Sequence, residues 1–195
     1  KLNNPSIIIS ATIRLHQYRD FKETGVPPVN RGMLMFYNTG DVENWAEENS
    51  ILNLEAASYY LPTSDFRLPT SKTYPIPLDI ALPIFSWGVL FRNGSMIRLI
   101  NNLQATDLTD TARFLKIADN RFEVVKSTYL NGYYLYEGDQ IRTESIDQSL
   151  LLQAADLLYD KIKNRPLTIA FYHLDTATIK HFPHEFLGNI THQFQ

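Results

Sequence analysis

The 195-residue chain contains no cysteine. That excludes disulfides, thiolate metal sites and a cysteine nucleophile together. No apolar run approaches the roughly 20 residues that a membrane-spanning helix needs, so no span is expected. No basic excess is present either. Lys+Arg is 18 against 21 Asp+Glu, a net charge of -3. A nucleic-acid grip ordinarily carries a basic stripe, so nucleic acid is not expected as a partner. The chain has no G-x-S-x-G, no G-x-x-x-x-G-K and no G-x-G-x-x-G. A serine-hydrolase elbow and the two common phosphate cradles are therefore missing, and no cofactor is expected.

Metal is not expected. Five histidines are present, and His181 and His184 are three apart, but Phe182-Pro183 lies between them and no H-x-x-x-H occurs. Only 3 Met occur and the first residue is Lys, so the sequence reads as a mature or truncated piece with no leader left to identify. Aromatics are plentiful: 11 Phe, 11 Tyr and 2 Trp make 12% of the chain. The apolar fraction of 44% and charged fraction of 20% are those of a globular domain.

Four stretches read as solid apolar strands: Ile7–Leu15, Met33–Tyr37, Leu78–Phe85 and Leu167–His173. GVPPVN at 25–30 is a loop fixed by two prolines, and the proline-rich stretch Thr63–Pro77 reads as loop as well. Helices are expected over Asn49–Leu61, Thr109–Ala118 and, most strongly, Ser145–Lys163. There Ser145 is the candidate cap and Ile146, Leu150, Ala154, Leu157, Leu158 and Ile162 form the apolar face. A last short helix is expected within Thr176–Phe194. Asn93-Gly94 between two alternating runs signals a β-hairpin. Arg121–Tyr136 reads as extended.

Solid apolar strands separated by helices are the mark of parallel βαβ units. The expected fold is α/β with a mostly parallel sheet, a β-hairpin following the third strand, and an inserted segment over 88–144. The whole of 1–195 is expected to be one domain. Chemistry in such folds gathers at the carboxyl ends of the strands. Those ends supply Arg14, His16 and Gln17, then Tyr37, Asn38 and Asp41, then Ser86 and Trp87, and finally Tyr172, His173 and Asp175. Aromatic, amide and carboxylate groups together suit a polar ligand such as a sugar. In such a cleft Trp87 should be partly exposed for stacking. The Tyr37 hydroxyl should reach Arg14, Asn38 or His173. The inserted segment should bring Tyr133, Tyr134, Tyr136, Glu137, Asp139 and Glu144 to the cleft mouth, with Glu137 and Glu144 the glutamates placed for a second acid.

GMLMFYNTGD followed by LDIALPIFSWG resembles the sixth and seventh strands of chitinase-type (family-18) glycoside hydrolase barrels. Met35, Phe36, Tyr37 and Asn38 match a Met-x-Tyr-Asp/Asn pattern; Leu82, Pro83, Ile84 and Phe85 match an apolar-Pro-apolar-aromatic pattern. With IRLHQ, GVPPVNRG, LFRNG and AFYHLD added, most of the chain resembles an uncharacterised bacterial family within the barrel-glycosidase group. The resemblance implies the C-terminal half of a (β/α)8 barrel and a carbohydrate ligand, whether the activity is polysaccharide hydrolysis or non-catalytic sugar or envelope binding. It also implies export to the periplasm or envelope. It gives Tyr37 the role of holding a reacting N-acetyl group, with Asn38 where a carboxylate is common. The D-x-x-D-x-D-x-E run of that family is not matched. Asp107-Leu-Thr-Asp110 has two of its acids and no Glu, and reads as a helix start. The catalytic acid is thus expected upstream of Lys1.

Overall fold

A computed structural model describes residues 7–62, 74–162 and 167–195. The proline-rich loop expected at Thr63–Pro77 falls for the most part outside them. The first half runs β1 (Ser10–Arg14), α1 (Leu15–Arg19), α2 (Phe21–Thr24), β2 (Arg31–Met35), α3 (Leu54–Ser58) and β3 (Leu78–Pro83). Antiparallel strands follow: β4 (Trp87–Arg92), β5 (Ser95–Asn101), β6 (Phe114–Ala118), β7 (Arg121–Val124), β8 (Thr128–Leu130), β9 (Tyr133–Leu135) and β10 (Gln140–Glu144). The chain then returns through α4 (Gln148–Lys161), β11 (Ile169–Tyr172), α5 (Thr176–Ile179) and α6 (His184–Gln193).

The four apolar runs become one parallel sheet in the order β1-β2-β3-β11. Spatial order follows chain order, with no reversal point. Register separates its two faces, because paired residues point the same way and neighbours along a strand alternate. Ile13, Leu34, Ile80 and Leu82 share one face and join the large core formed with Leu151, Ala154, Ala155 and Leu158 of α4. Thr12, Met33, Met35, Ala81 and Ala170 lie on the other, outside that core cluster. All six residues of β3 are buried, as a central strand requires.

The second sheet is antiparallel, in the order β5-β4-β10-β7-β6, and β8–β9 form a separate hairpin. Asn93 (φ 51°) and Gly94 (φ 76°) turn the β4–β5 hairpin as the Asn-Gly pair requires. Strand β4 is shared between two cores. Trp87, Val89 and Phe91 pack into the large one, whereas Leu90 faces a smaller one with Ile100, Leu108, Phe114, Phe122 and Ile141. Gly88 sits where a side chain would collide, since an added Cβ would lie 2.3 Å from Leu103 Cδ2.

Several expectations need correction. Thr109–Ala118 is not a helix. A 3-10 turn at Ala105–Leu108 precedes it, and Phe114–Ala118 is an edge strand whose only buried residue is Phe114. Helix α3 occupies only five residues of Asn49–Leu61, because Asn53 caps it by accepting from Ala56 N–H at 3.0 Å. The cap of α4 is Asp147 rather than Ser145, its Oδ1 accepting from Leu150 N–H at 2.7 Å. Strand β3 stops at Pro83, and Trp87 opens the next strand in the other sheet instead of closing the third. The sheet is parallel for four strands only; most strands of the molecule are antiparallel.

Candidate functional site

The carboxyl ends of β2, β3 and β11 converge on an aromatic cluster. Tyr37, two residues beyond β2, stacks on Tyr172 at the end of β11, with centroids 5.1 Å apart and planes 5° from parallel. Phe85 meets both rings edge-on, at 6.0 Å and 5.8 Å, and also contacts His173. Met35 and Ala81, and Ala81 and Ala170, are register partners that bring β2, β3 and β11 side by side. Tyr172 is 48% exposed, so this stack presents aromatic surface to solvent. The Tyr172–His173 peptide is cis.

A cavity of 370 Å³ opens beside Tyr37. Arg14, His16 and Asn38 line it together with Met35, Thr39 and Tyr60. Arg14 ends β1 and His16 lies in α1, whose first turn is closed by Arg14 N–H donating to Gln17 Oε1 at 3.0 Å. Asn38 adopts φ 55°, and its N–H donates to Ile51 O at 2.6 Å. This left-handed residue turns the chain out of the sheet directly after Tyr37. Burial, with Tyr172 adding to it, pushes the Tyr37 phenol above its ordinary value. Its hydroxyl bonds no group among the described residues, and in particular none of Arg14, Asn38 or His173. It is held by ring packing alone.

Trp87, Asp41, Asp175 and Glu144 do not line this cavity. Trp87 is buried at 8% exposure, and its indole N–H donates to Glu144 Oε2 at 2.8 Å, so it offers no free stacking face. Asp41 is a turn residue outside the cavity, with Oδ1 accepting from Glu43 N–H at 3.0 Å. Asp175 stands beyond β11, 4.0 Å from His173 Nε2 and 3.5 Å from Asn102 Nδ2.

Glu144 is fully buried and serves as a structural junction. Its Oε2 accepts from Ser50 N–H (2.9 Å), Ser50 Oγ (2.7 Å), Ile51 N–H (3.2 Å) and the Trp87 indole. Its Oε1 accepts from Arg142 Nε at 2.6 Å. Arg142, also buried, donates onward to the carbonyls of Asn44 and Val42. A carboxylate accepting from five donors is fixed in place, with both oxygens engaged by the fold. The network pins the loop after Tyr37 to the antiparallel sheet. An Arg-x-Glu pair on one strand face is the sequence signal for it, since residues two apart in a strand point the same way.

The tyrosine cluster is likewise not at the cleft mouth. Tyr129, Tyr134 and Tyr136 contact one another on the β8–β9 hairpin and the turn after it. Tyr136 lies under Arg92, which forms a two-pronged ion pair with Asp139 at 2.7 and 2.9 Å. Arg92 is five residues along β4 from Trp87, about 17 Å at strand rise. Glu137 follows Tyr136 there. Among the described residues, no group of His, Asp and Glu is arranged to hold a metal ion, and no helix is long and apolar enough to cross a membrane.

No protein-family model matches the sequence, and no curated protein matches it. Among solved structures, the chain is similar to the spore cortex-lytic enzyme SleL of Bacillus megaterium QM B1551, at 14% identity and a TM-score of 0.47. The match covers 97% of this chain and 42% of that one, so the chain spans less than half the length of the structure it resembles.

Proposed function

We propose that the chain holds a sugar ring at the carboxyl edge of its parallel sheet, as the binding part of a glycoside-hydrolase-like barrel. The observation that carries this reading is the Tyr37–Tyr172 stack, half open to solvent beside a cavity lined by Arg14, His16 and Asn38. A sugar presents C–H faces and hydroxyl edges. Aromatic surface takes the faces, and fixed polar groups take the edges. The unpartnered Tyr37 hydroxyl is one such group, a phenol that can donate to a sugar oxygen.

Two features of the fold support the barrel part of the reading. The parallel strands follow one another in chain order, as in a (β/α)8 barrel and unlike a doubly wound sheet. The sheet face carrying Thr12, Met33 and Met35 lies outside the core. Four further strands from a segment preceding these would close a barrel over that face.

Among the described residues no carboxylate lines the cavity. Glycosidic cleavage requires a carboxylic acid, so in this reading the described residues bind and orient the sugar, and an acid from a preceding segment cleaves. The same observation favours the alternative, a carbohydrate- or envelope-binding module with no catalytic role. Either way the binding residues are the same.

Calorimetric titration with soluble chitotetraose and cellotetraose tests the shared claim. One of them is expected to bind, with Tyr172→Ala weakening it at least about tenfold, the cost of a lost stacking face of about 1.4 kcal/mol. Tyr37→Phe, which keeps the stack and removes the hydroxyl, is expected to weaken it less. Unchanged affinity in Tyr172→Ala, or no binding of either sugar, would overturn the reading.

A further inference from the structure

A second cavity, of 250 Å³, opens on another side of Phe85. Its floor is the β3–β4 connection, and its walls are the β10–α4 turn and α5. Two hydroxyl-bearing residues lining it are almost fully covered: Ser86 is 8% exposed and Thr178 7%. Neither hydroxyl bonds any group among the described residues. Neither is sealed, since the enclosed polar atoms without a partner are Arg31 Nε and Tyr74 OH. The two hydroxyls thus have no partner among the described residues, and both residues line the cavity. Hydroxyls covered to this degree ordinarily find a partner.

The surroundings are held in place. Asn102 N–H donates to Ser86 O at 2.9 Å, and Ile84 N–H to Tyr172 O at 2.8 Å. Asn49 Nδ2 fixes Ser145 O at 2.9 Å, and His181 N–H donates to Thr178 O at 3.1 Å. The site is therefore pre-formed on its backbone side.

The lining defines the ligand's chemistry. Gln104, Gln148 and His181 add amide and imidazole groups to the two hydroxyls. Phe85 and Phe182 supply apolar ring faces. Among the described lining residues there is no Lys or Arg, and the carboxylate of Asp147 is engaged in capping α4. A phosphate or carboxylate ligand would find no Lys or Arg among them. The volume is below the usual range for a drug-sized ligand, about 300–1,000 Å³, and suits a single small ring. We infer that this cavity binds one neutral, polyhydroxylated sugar ring, and that Ser86 and Thr178 donate to or accept from its hydroxyls. The class of ligand rests on the sugar-site reading above; the location rests on these residues alone. Phe85, which touches Tyr37 and Tyr172 and also lines this cavity, is the wall between two neighbouring sites.

The test is a two-dimensional amide NMR titration of the full chain with glucose and with N-acetylglucosamine, with inorganic phosphate as the anionic control. One sugar is expected to give saturable shifts at the amides of Ser86, Ile146, Gln148 and Thr178, and phosphate none. Thr178→Val and Gln148→Ala, each checked to keep the remaining spectrum, are expected to weaken those shifts about tenfold. Absence of saturable shifts with both sugars, saturation by phosphate, or unaltered binding in both variants would overturn the inference. Tyr172→Ala separates the two sites. It should remove sugar-induced shifts at Asn38 and Tyr172 and leave those at Ser86 and Thr178. The first cavity can therefore fail while the second stands, and the reverse.

Discussion

The parallel and antiparallel sheets of this chain solve the same burial problem in different ways. In the parallel sheet β3 is buried along its whole length, with Leu78, Ile80 and Leu82 in the large core. In the antiparallel sheet β6 buries one residue of five and β5 only Ile100, while β4 packs one face on a small core and the other on the large one. The candidate sugar site belongs to the first sheet, because parallel strands deliver every carboxyl end to one edge. The antiparallel sheet contributes support. Its strand β4 feeds both cores, and Glu144 of β10 fastens it to the loop that leaves Tyr37.

This contrast can be broken at its joint. Glu144→Ala leaves Arg142 buried without its partner, and the expected loss is about 3–5 kcal/mol in denaturant unfolding. Because the joint serves both sheets, both should lose hydrogen-exchange protection together; a loss confined to the antiparallel sheet would contradict the shared role. Leu82→Ala, in the parallel core alone, should cost about 2–5 kcal/mol. Gly88→Ala forces Cβ against Leu103 and should cost about 1–3 kcal/mol, read as a shift in the unfolding midpoint.

The two sheets should also part company in alkali. Burial pushes the Tyr18 phenol up to about 12 and raises Tyr37 and Tyr74 as well, all in the parallel layer. Groups raised on folding stabilise the neutral form. Their contribution is complete below the unfolded value of 10 and lost as pH climbs toward the folded value. Unfolding free energy should therefore fall between pH 10 and about 12. Tyr18→Phe should flatten part of that fall in a pH series of melts. The smallest effect is expected at Tyr134, 44% exposed on the far hairpin, where Tyr134→Ser should alter stability by under about 0.5 kcal/mol and leave sugar binding unchanged.

The same contrast explains what could be read from the sequence. GMLMFYN and LDIALPIF are largely apolar, the pattern of covered strands, and SIIISATIRL opens apolar. All three form parallel strands, but the first begins only at Ser10 and is mostly exposed, with Ile13 its one buried residue. Two-faced strands left a weaker trace. The run from Thr109 to Ala118 offers polar residues ahead of Phe114, Leu115 and Ile117, a spacing that a helix also satisfies; pairing with β7 decides it, and that contact is not local. Arg14, His16, Tyr37 and Asn38 could be put forward as candidates because strand ends are marked by the change from apolar to polar, and they line one cavity. Met35, Thr39 and Tyr60 were missed because their places depend on how the loop after Tyr37 folds back. Trp87 was misjudged because Pro83 ends β3 earlier than the apolar run does. Glu144 was misjudged because a buried carboxylate and an exposed one look alike until Ser50, Trp87 and Arg142 close around it.

The central claim is that ligand recognition belongs to the carboxyl edge of the parallel sheet and not to the antiparallel one. Hydrogen–deuterium exchange of the whole chain, with and without saturating chitotetraose or cellotetraose, tests it most directly. The account predicts added protection at Arg14–His16, Tyr37–Thr39 and Tyr172–His173, with β5 to β9 unchanged. Protection confined to β5–β9, with none at those three segments, would contradict it.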